Sequence, residues 1–242
     1  MLPTKCPLCH NRYLSYENDY AVCHKCGKYQ KSLNFLQKPL AWANNKSWIL
    51  RLPIIVWFGY MFWLNINDAK WALDRLGNPF SALDLGIHEL GHKIFLPFGE
   101  FMTILGGSLF QCIFPILCLV AFIKQKWYFS ASLCFCWLGI NLYDVATYVA
   151  DARAREIPLG VGPAIYSLDA SNADTVYDNA HDWFQLLSRT GHLKQDLQIA
   201  NNIRIVAYAL FTLGLLLGAI LITQMIIGSI QKYKINKALK KA

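Results

Sequence analysis

FGEFMTILGGSLFQCIFPILCLVAFIKQK, residues 98–126, carries no charge between Glu100 and Lys124. A helix over that interval rises about 1.5 Å per residue and reaches across the roughly 30 Å hydrocarbon layer of a bilayer. This stretch decides the class of the chain, and its neighbours repeat the signal. Residues 127–150 and 203–230 are further apolar runs of spanning length, and residues 48–66 form another, broken only by Arg51. Over all 242 residues, 55% are hydrophobic and 16% charged, with mean hydropathy +0.29. Soluble domains carry about 25% charge, so an ordinary soluble, disordered or collagenous chain is excluded. The expected fold is an all-α polytopic membrane protein with four to five membrane-embedded helices.

Charge is distributed unevenly. Residues 1–51 hold eight Lys or Arg against Glu17 and Asp19, and residues 231–242 hold five Lys and no acid, while the middle is slightly acidic. Basic ends around an apolar middle follow the positive-inside bias, which predicts both termini in the cytoplasm and the chain in a plasma (inner) membrane. The bilayer therefore accounts for the basic flanks, and no nucleic acid is expected as a partner. The first apolar run begins near Trp48, so no cleaved leader is expected.

The eight cysteines fall into two sets. Cys6, Cys9, Cys23 and Cys26 form two C-x-x-C turns in the polar first segment, the spacing of a zinc ribbon with four thiolates around one ion. Such a site is closed and structural, and four thiolates also accept iron. Cys112, Cys118, Cys134 and Cys136 lie in apolar runs and are expected to act as small hydrophobes. The predicted organisation is a ribbon over 1–30, a linker over 31–47, a membrane domain over 48–230 with a polar segment at 152–200, and a basic tail over 231–242. A helix around Asp182 to Ser188 should turn Trp183, Leu186 and Leu187 to one side.

The chemistry is concentrated in His88-Glu89-Leu90-Gly91-His92, inside the apolar segment from Ser81 to Leu96. Histidines four apart on a helix share a face and can bind one Zn²⁺, while Glu89 is placed as general base toward an attacking water. Two histidines and a glutamate in an apolar segment are costly without a shared purpose. Pro97, Gly99 and Gly106-Gly107 would let the segment enter the membrane and return, a re-entrant path that leaves the basic loops inside.

A catalytic zinc requires a third protein ligand. The glycine and third histidine of the elongated metzincin pattern are absent, since Phe95 and Phe98 occupy those places. Asp144 and Asp151 lie seven apart on the third span, in line with Asn141 and Tyr148. Asp144, the deeper of the two, is the first choice as ligand. Asp151 and His181 are the alternates, with Asp151 otherwise expected to pair with Arg153 or Arg155.

At residues 81–151 the chain resembles the site-2 protease family of intramembrane zinc metalloproteases. The resemblance rests on H-E-L-G-H in an apolar segment, Gly106-Gly107 before a span, and a later span with Asn141 and a carboxylate. It departs at that later helix, where G-I-N-L-Y-D-V-A-T-Y-V-A-D-A lacks the family's proline and Asp-Gly pair. What the resemblance implies is cleavage of membrane-protein or peptide substrates within or near the bilayer. Asn141 is then expected to bind substrate backbone, which finds no other partners in lipid. Two other readings use the same residues: a non-catalytic scaffold with structural zinc sites, and a zinc hydrolase of a lipid or non-peptide amide.

Overall fold

A computed structural model of the chain describes residues 5–10, 14–17, 20–23, 25–67, 80–157 and 181–239. The hydrophilic connection from Asp68 to Pro79 and the first part of the polar segment, 158–180, lie outside the described residues. The described chain is mostly helical and divides into two compact units, one of residues 1–60, 120–133 and 215–242, the other of 61–119 and 134–214.

The first unit begins with a three-stranded antiparallel sheet in the order β1 (Ser15–Glu17), β2 (Tyr20–Val22), β3 (Gln30–Ser32). The sheet holds two cysteine turns together. Cys6 Sγ lies 3.7 Å from Cys26 Sγ, and Cys9 Sγ lies 3.6 Å from Cys23 Sγ. Those separations match the edge of about 3.8 Å that a tetrahedron with metal–sulfur bonds of about 2.3 Å requires. Each turn ends in a left-handed residue, His10 (φ 54°) after the first and Gly27 (φ 65°) after the second. The backbone N–H of each donates to the carbonyl of the turn's first cysteine.

The ribbon does not stop at residue 30. Residues 31–47, expected as a linker, complete β3 and form helix α1 (Gln37–Asn44). Asn34 and Gln37 cap its start reciprocally, each side-chain oxygen accepting the other's backbone N–H at 3.0–3.1 Å. Ala41 then joins Ala21 and Leu33 in a small core. Further along α1, Ala43 packs with Ile55, Phe129, Leu221, Ile222 and Met225. At its end Asn44 accepts from Gln224 Nε2 at 3.0 Å, and the Asn44 carbonyl lies so near Gly228 that no Cβ fits there. A ribbon this small has little core of its own, and α1 adds to it through Ala41.

Backbone hydrogen bonding at Cys26 lowers the Cys23 thiol from 9.0 to about 6. A lowered thiol favours the thiolate that metal needs. Its contribution is fully present above pH 9, declines below that, and is gone below about pH 6. In a His88→Ala/His92→Ala background, chelator-extractable metal should therefore rise as pH falls from 8 to 5. A flat profile over that interval would contradict the assignment.

Three described segments are long and apolar enough to cross a membrane, which marks the chain as a membrane protein. They are α4 (Glu100–Lys124), α5 (Tyr128–Ala150) and Leu193–Lys234, the last forming most of α7 (Asp196–Leu239). The run near Trp48 folds as the shorter α2 (Arg51–Ile66), 16 residues. The segment carrying the His-Glu motif is α3 (Ser81–Phe95), 15 residues, or about 22 Å of helix. It turns Leu83, Leu85, Leu90 and Ile94 outward and buries Asp84, Ile87 and Gly91.

In the second unit α3 is followed by a short 3-10 turn, Leu96–Phe98, and by Gly99 at φ 94°. That turn, rather than Gly106-Gly107, reverses the chain. The glycine pair lies within α4, where it serves close packing: a Cβ on Gly106 would stand 2.8 Å from the Gly91 carbonyl oxygen and 2.7 Å from Phe95 Cβ. Trp137 on α5 donates to buried Asp84 on α3 at 2.8 Å. Helix α6 (Asp182–Arg189) buries Leu186 and Leu187, as its pattern predicted, and Trp183 Nε1 donates to Ser108 Oγ of α4 at 3.1 Å. Val145, Val149, Ala152, Leu187 and Ala200 form the core beneath it.

Candidate metal centre

The helical spacing of His88 and His92 sets their rings edge to face on one side of α3, with centroids 4.8 Å apart. Each ring is held from behind. His92 Nδ1 lies 2.8 Å from the Thr103 carbonyl oxygen, and His88 Nδ1 lies 3.2 Å from Gln111 Oε1. A carbonyl oxygen only accepts, so Nδ1 of each imidazole carries the proton and Nε2 presents its lone pair.

Both lone pairs point at a carboxylate. Asp182 Oδ2 is 3.1 Å from His88 Nε2 and 3.4 Å from His92 Nε2. Three acceptors converging this closely require a cation among them: protons in the metal-free protein, or one metal ion. With bonds of about 2.0–2.2 Å, the edges of a tetrahedral nitrogen and oxygen site measure about 3.3–3.5 Å, close to those observed. Burial raises the Asp182 carboxyl, but hydrogen bonds with His88 and His92 outweigh it and leave the group below the usual carboxylate range. The residues fit a metal, and the only other described group of comparable ligands is the Cys6, Cys9, Cys23, Cys26 cluster.

Space for the ion comes from Gly107. A Cβ there would lie 2.5 Å from His88 Nε2 and 2.6 Å from His92 Nε2, in the volume a shared ligand must fill. Gly107→Ala should therefore cost the second metal equivalent while leaving all three ligands and the ribbon metal in place. Two equivalents retained in a folded Gly107→Ala protein would refute that placement.

The carboxylate that the structure brings to the two imidazoles is Asp182, where the sequence reading expected Asp144. Asp144 is exposed and stands outside the cluster. Asn141 and Tyr148, seven apart, share an inward line on α5, and Asp144 lies about 50° off that line. Asp151 follows the helix end at Ala150 and turns inward. Its carboxylate accepts the backbone N–H groups of Glu156 and Ile157 at 2.9 and 3.0 Å. Neither arginine expected beside it is its ion-pair partner: Arg153 pairs with Asp196 at 2.8 Å, and the Arg155 guanidinium lies over the Phe184 ring.

His181, the other alternate, is fully buried and lies outside the group formed by His88, His92 and Asp182. Its Nδ1 accepts the Phe184 N–H at 3.1 Å and caps α6, so Nε2 carries the proton and faces Asp151 Oδ2 at 3.4 Å. Burial lowers its pKa, with Asp151 opposing. The Tyr148 ring lies 4.3 Å from the His181 ring, and its hydroxyl accepts the Asp182 N–H at 3.1 Å. Arg189 at the far end of α6 pairs with Glu100 at 2.7 Å. Asp182 is thus held through the residues around it. The available sequence signal was His181-Asp182-Trp183 opening an amphipathic helix, where an acidic first residue is ordinarily a helix-end charge.

Asn141 also differs from expectation. It has no exposed surface, and its Nδ2 donates to the Gln111 carbonyl at 2.7 Å. Pro115 lacks the N–H that would have bonded that carbonyl four residues earlier in α4. Asn141 thus fills a vacancy left by proline and steadies the turn carrying Gln111, leaving it no surface for substrate. Glu89, beside His88, is exposed and has no hydrogen-bond or ion-pair partner among the described residues. No protein-family model, curated protein or solved structure matches this chain.

Proposed function

We propose that the chain is a zinc-dependent endopeptidase of the membrane, similar in kind to the site-2 proteases, cleaving membrane-associated proteins within or near the bilayer. The observation that carries this reading is the convergence of His88 Nε2, His92 Nε2 and Asp182 Oδ2 beside a glycine, with an exposed glutamate next on the same helix. A zinc ion bound there would supply a Lewis acid for the scissile carbonyl and acidify an attacking water. Glu89 takes a proton from that water at its carboxylate and returns it to the leaving amine. Thr103 and Gln111 keep both imidazoles turned with Nε2 forward, while His181 and Tyr148 hold the start of α6. The apolar outer face of α3 and its 15-residue length suit a segment that enters the membrane and returns at Leu96–Gly99. On this reading α2 and α3 join the three long helices in the bilayer, the basic ends lie in the cytoplasm, and the ribbon holds a second zinc and docks or selects substrate.

The test uses purified full-length protein in lipid nanodiscs with a panel of tagged single-span membrane proteins. Cleavage is expected, 1,10-phenanthroline should abolish it, and Glu89→Gln should slow it by about 10²–10⁴-fold. Cleavage at an undiminished rate in Glu89→Gln would sink the mechanism. A panel left intact beside chelator-sensitive lipid or amide hydrolysis would replace the peptide with another substrate class.

A further inference from the structure

Asp84 Oδ2 on α3 and Asn141 Oδ1 on α5 are both buried without a hydrogen-bond partner. Asp84 is 2% exposed and Asn141 0%. The two side chains are neighbours, since the Asn141 amide reaches the Asp84 carboxyl. Their other polar atoms are engaged: Trp137 Nε1 donates to Asp84 Oδ1 at 2.8 Å, and Asn141 Nδ2 donates to the Gln111 carbonyl at 2.7 Å.

Both orphaned atoms are acceptors, so the group they lack is a donor. Among the described residues no Lys, Arg or His forms an ion pair with Asp84. A carboxylate buried between apolar helices without a cation is costly, and such a group is kept neutral instead. One hydrogen on Asp84 Oδ2 supplies both atoms. A carboxylic acid and a primary amide pair reciprocally: the acid O–H donates to the amide oxygen, and an amide N–H donates to the acid carbonyl. The second amide hydrogen of Asn141 then serves Gln111.

We propose that Asp84 is held as a neutral carboxylic acid, its proton donated to Asn141 Oδ1, and that this pair positions His88. The connection runs through Gln111, whose carbonyl accepts from Asn141 and whose Oε1 faces His88 Nδ1 at 3.2 Å. Asp84 also precedes His88 by four residues, so both lie on one face of α3. The acid fixes that face to Trp137 and Asn141 of α5, and Gln111 fixes the imidazole to α4. Asp84 is thus a positioning residue. Its role at His88 rests on the metal centre described above, whereas the proton does not.

The test combines infrared spectroscopy with metal titration of full-length protein in dodecyl maltoside, a detergent without a carbonyl group. At neutral pH the wild type should show a protonated carboxylic C=O band that moves to lower frequency after deuterium exchange and is missing from Asp84→Asn. Asparagine reproduces the neutral pair, accepting from Trp137 and donating to Asn141, so Asp84→Asn should bind the second metal as the wild type does. Asp84→Leu keeps the approximate size but leaves Trp137 and Asn141 without their partner. It should weaken the second metal about tenfold or more and leave the ribbon metal unchanged. An acid region identical in wild type and Asp84→Asn, or loss of the second metal from Asp84→Asn, would overturn the proposal. Undiminished second-metal affinity in a folded Asp84→Leu protein would overturn the positioning role, and if that variant does not fold, Asn141→Leu makes the same test at the other partner. A wild type holding only the ribbon metal would refute the metal centre and the positioning role together, while the infrared band would still decide the proton.

Discussion

Replacing Asp182 with alanine is expected to lower bound metal from two equivalents to one and to abolish cleavage, whereas Asp144→Ala should retain both equivalents. The contrast follows from geometry. Asp182 Oδ2 lies within 3.4 Å of both histidine Nε2 atoms, while Asp144 is exposed outside the group. Removing one of three protein ligands leaves two imidazoles, too few for a catalytic site of the usual three-ligand kind. Asp182→Asn is the sharper variant, because it keeps the shape and the backbone contact with Tyr148 but removes the anion that balances the metal's charge. Metal analysis of the purified proteins decides the matter. Loss of the second equivalent in Asp144→Ala, with retention in Asp182→Ala, would reverse the assignment.

Glu89→Gln is expected to keep both metal equivalents and to lower the cleavage rate by about 10²–10⁴-fold, the range in which a positioned general base contributes. Glutamine has nearly the same shape and cannot accept the proton. Glu89 is exposed, so the substitution uncovers no buried partner and stability should change little. Retained metal with lost activity separates a base from a ligand. If the variant also lost metal, Glu89 would belong to the coordination of the ion, and the proton would need another acceptor.

Much of the fold was legible because it depends on local pattern. Uncharged runs of spanning length can be read without tertiary information, and two of the expected spans coincide with α4 and α5 to within two residues at each end. The run near Trp48 was legible as an apolar helix but is shorter than a full crossing. The two C-x-x-C turns and the His88, His92 pair were equally plain. In each case the residues that would share one ion lie three or four apart, and that constraint lies within about a single turn of chain.

What the sequence alone determined was therefore every feature with a short repeat: the apolar helices, the thiolate turns, the two imidazoles on one face of α3 and the amphipathic side of α6. Tertiary structure decided which carboxylate meets the two imidazoles, because 94 residues separate His88 from Asp182 and only the packing of α6 against α4 and α5 brings them together. It also decided that Asn141 serves the carbonyl freed by Pro115, that His181 caps a helix and that Gly107 leaves room for an ion. Each of these outcomes depends on which atoms meet across helices. Periodicity places a side chain on a face, and only packing specifies what that face meets.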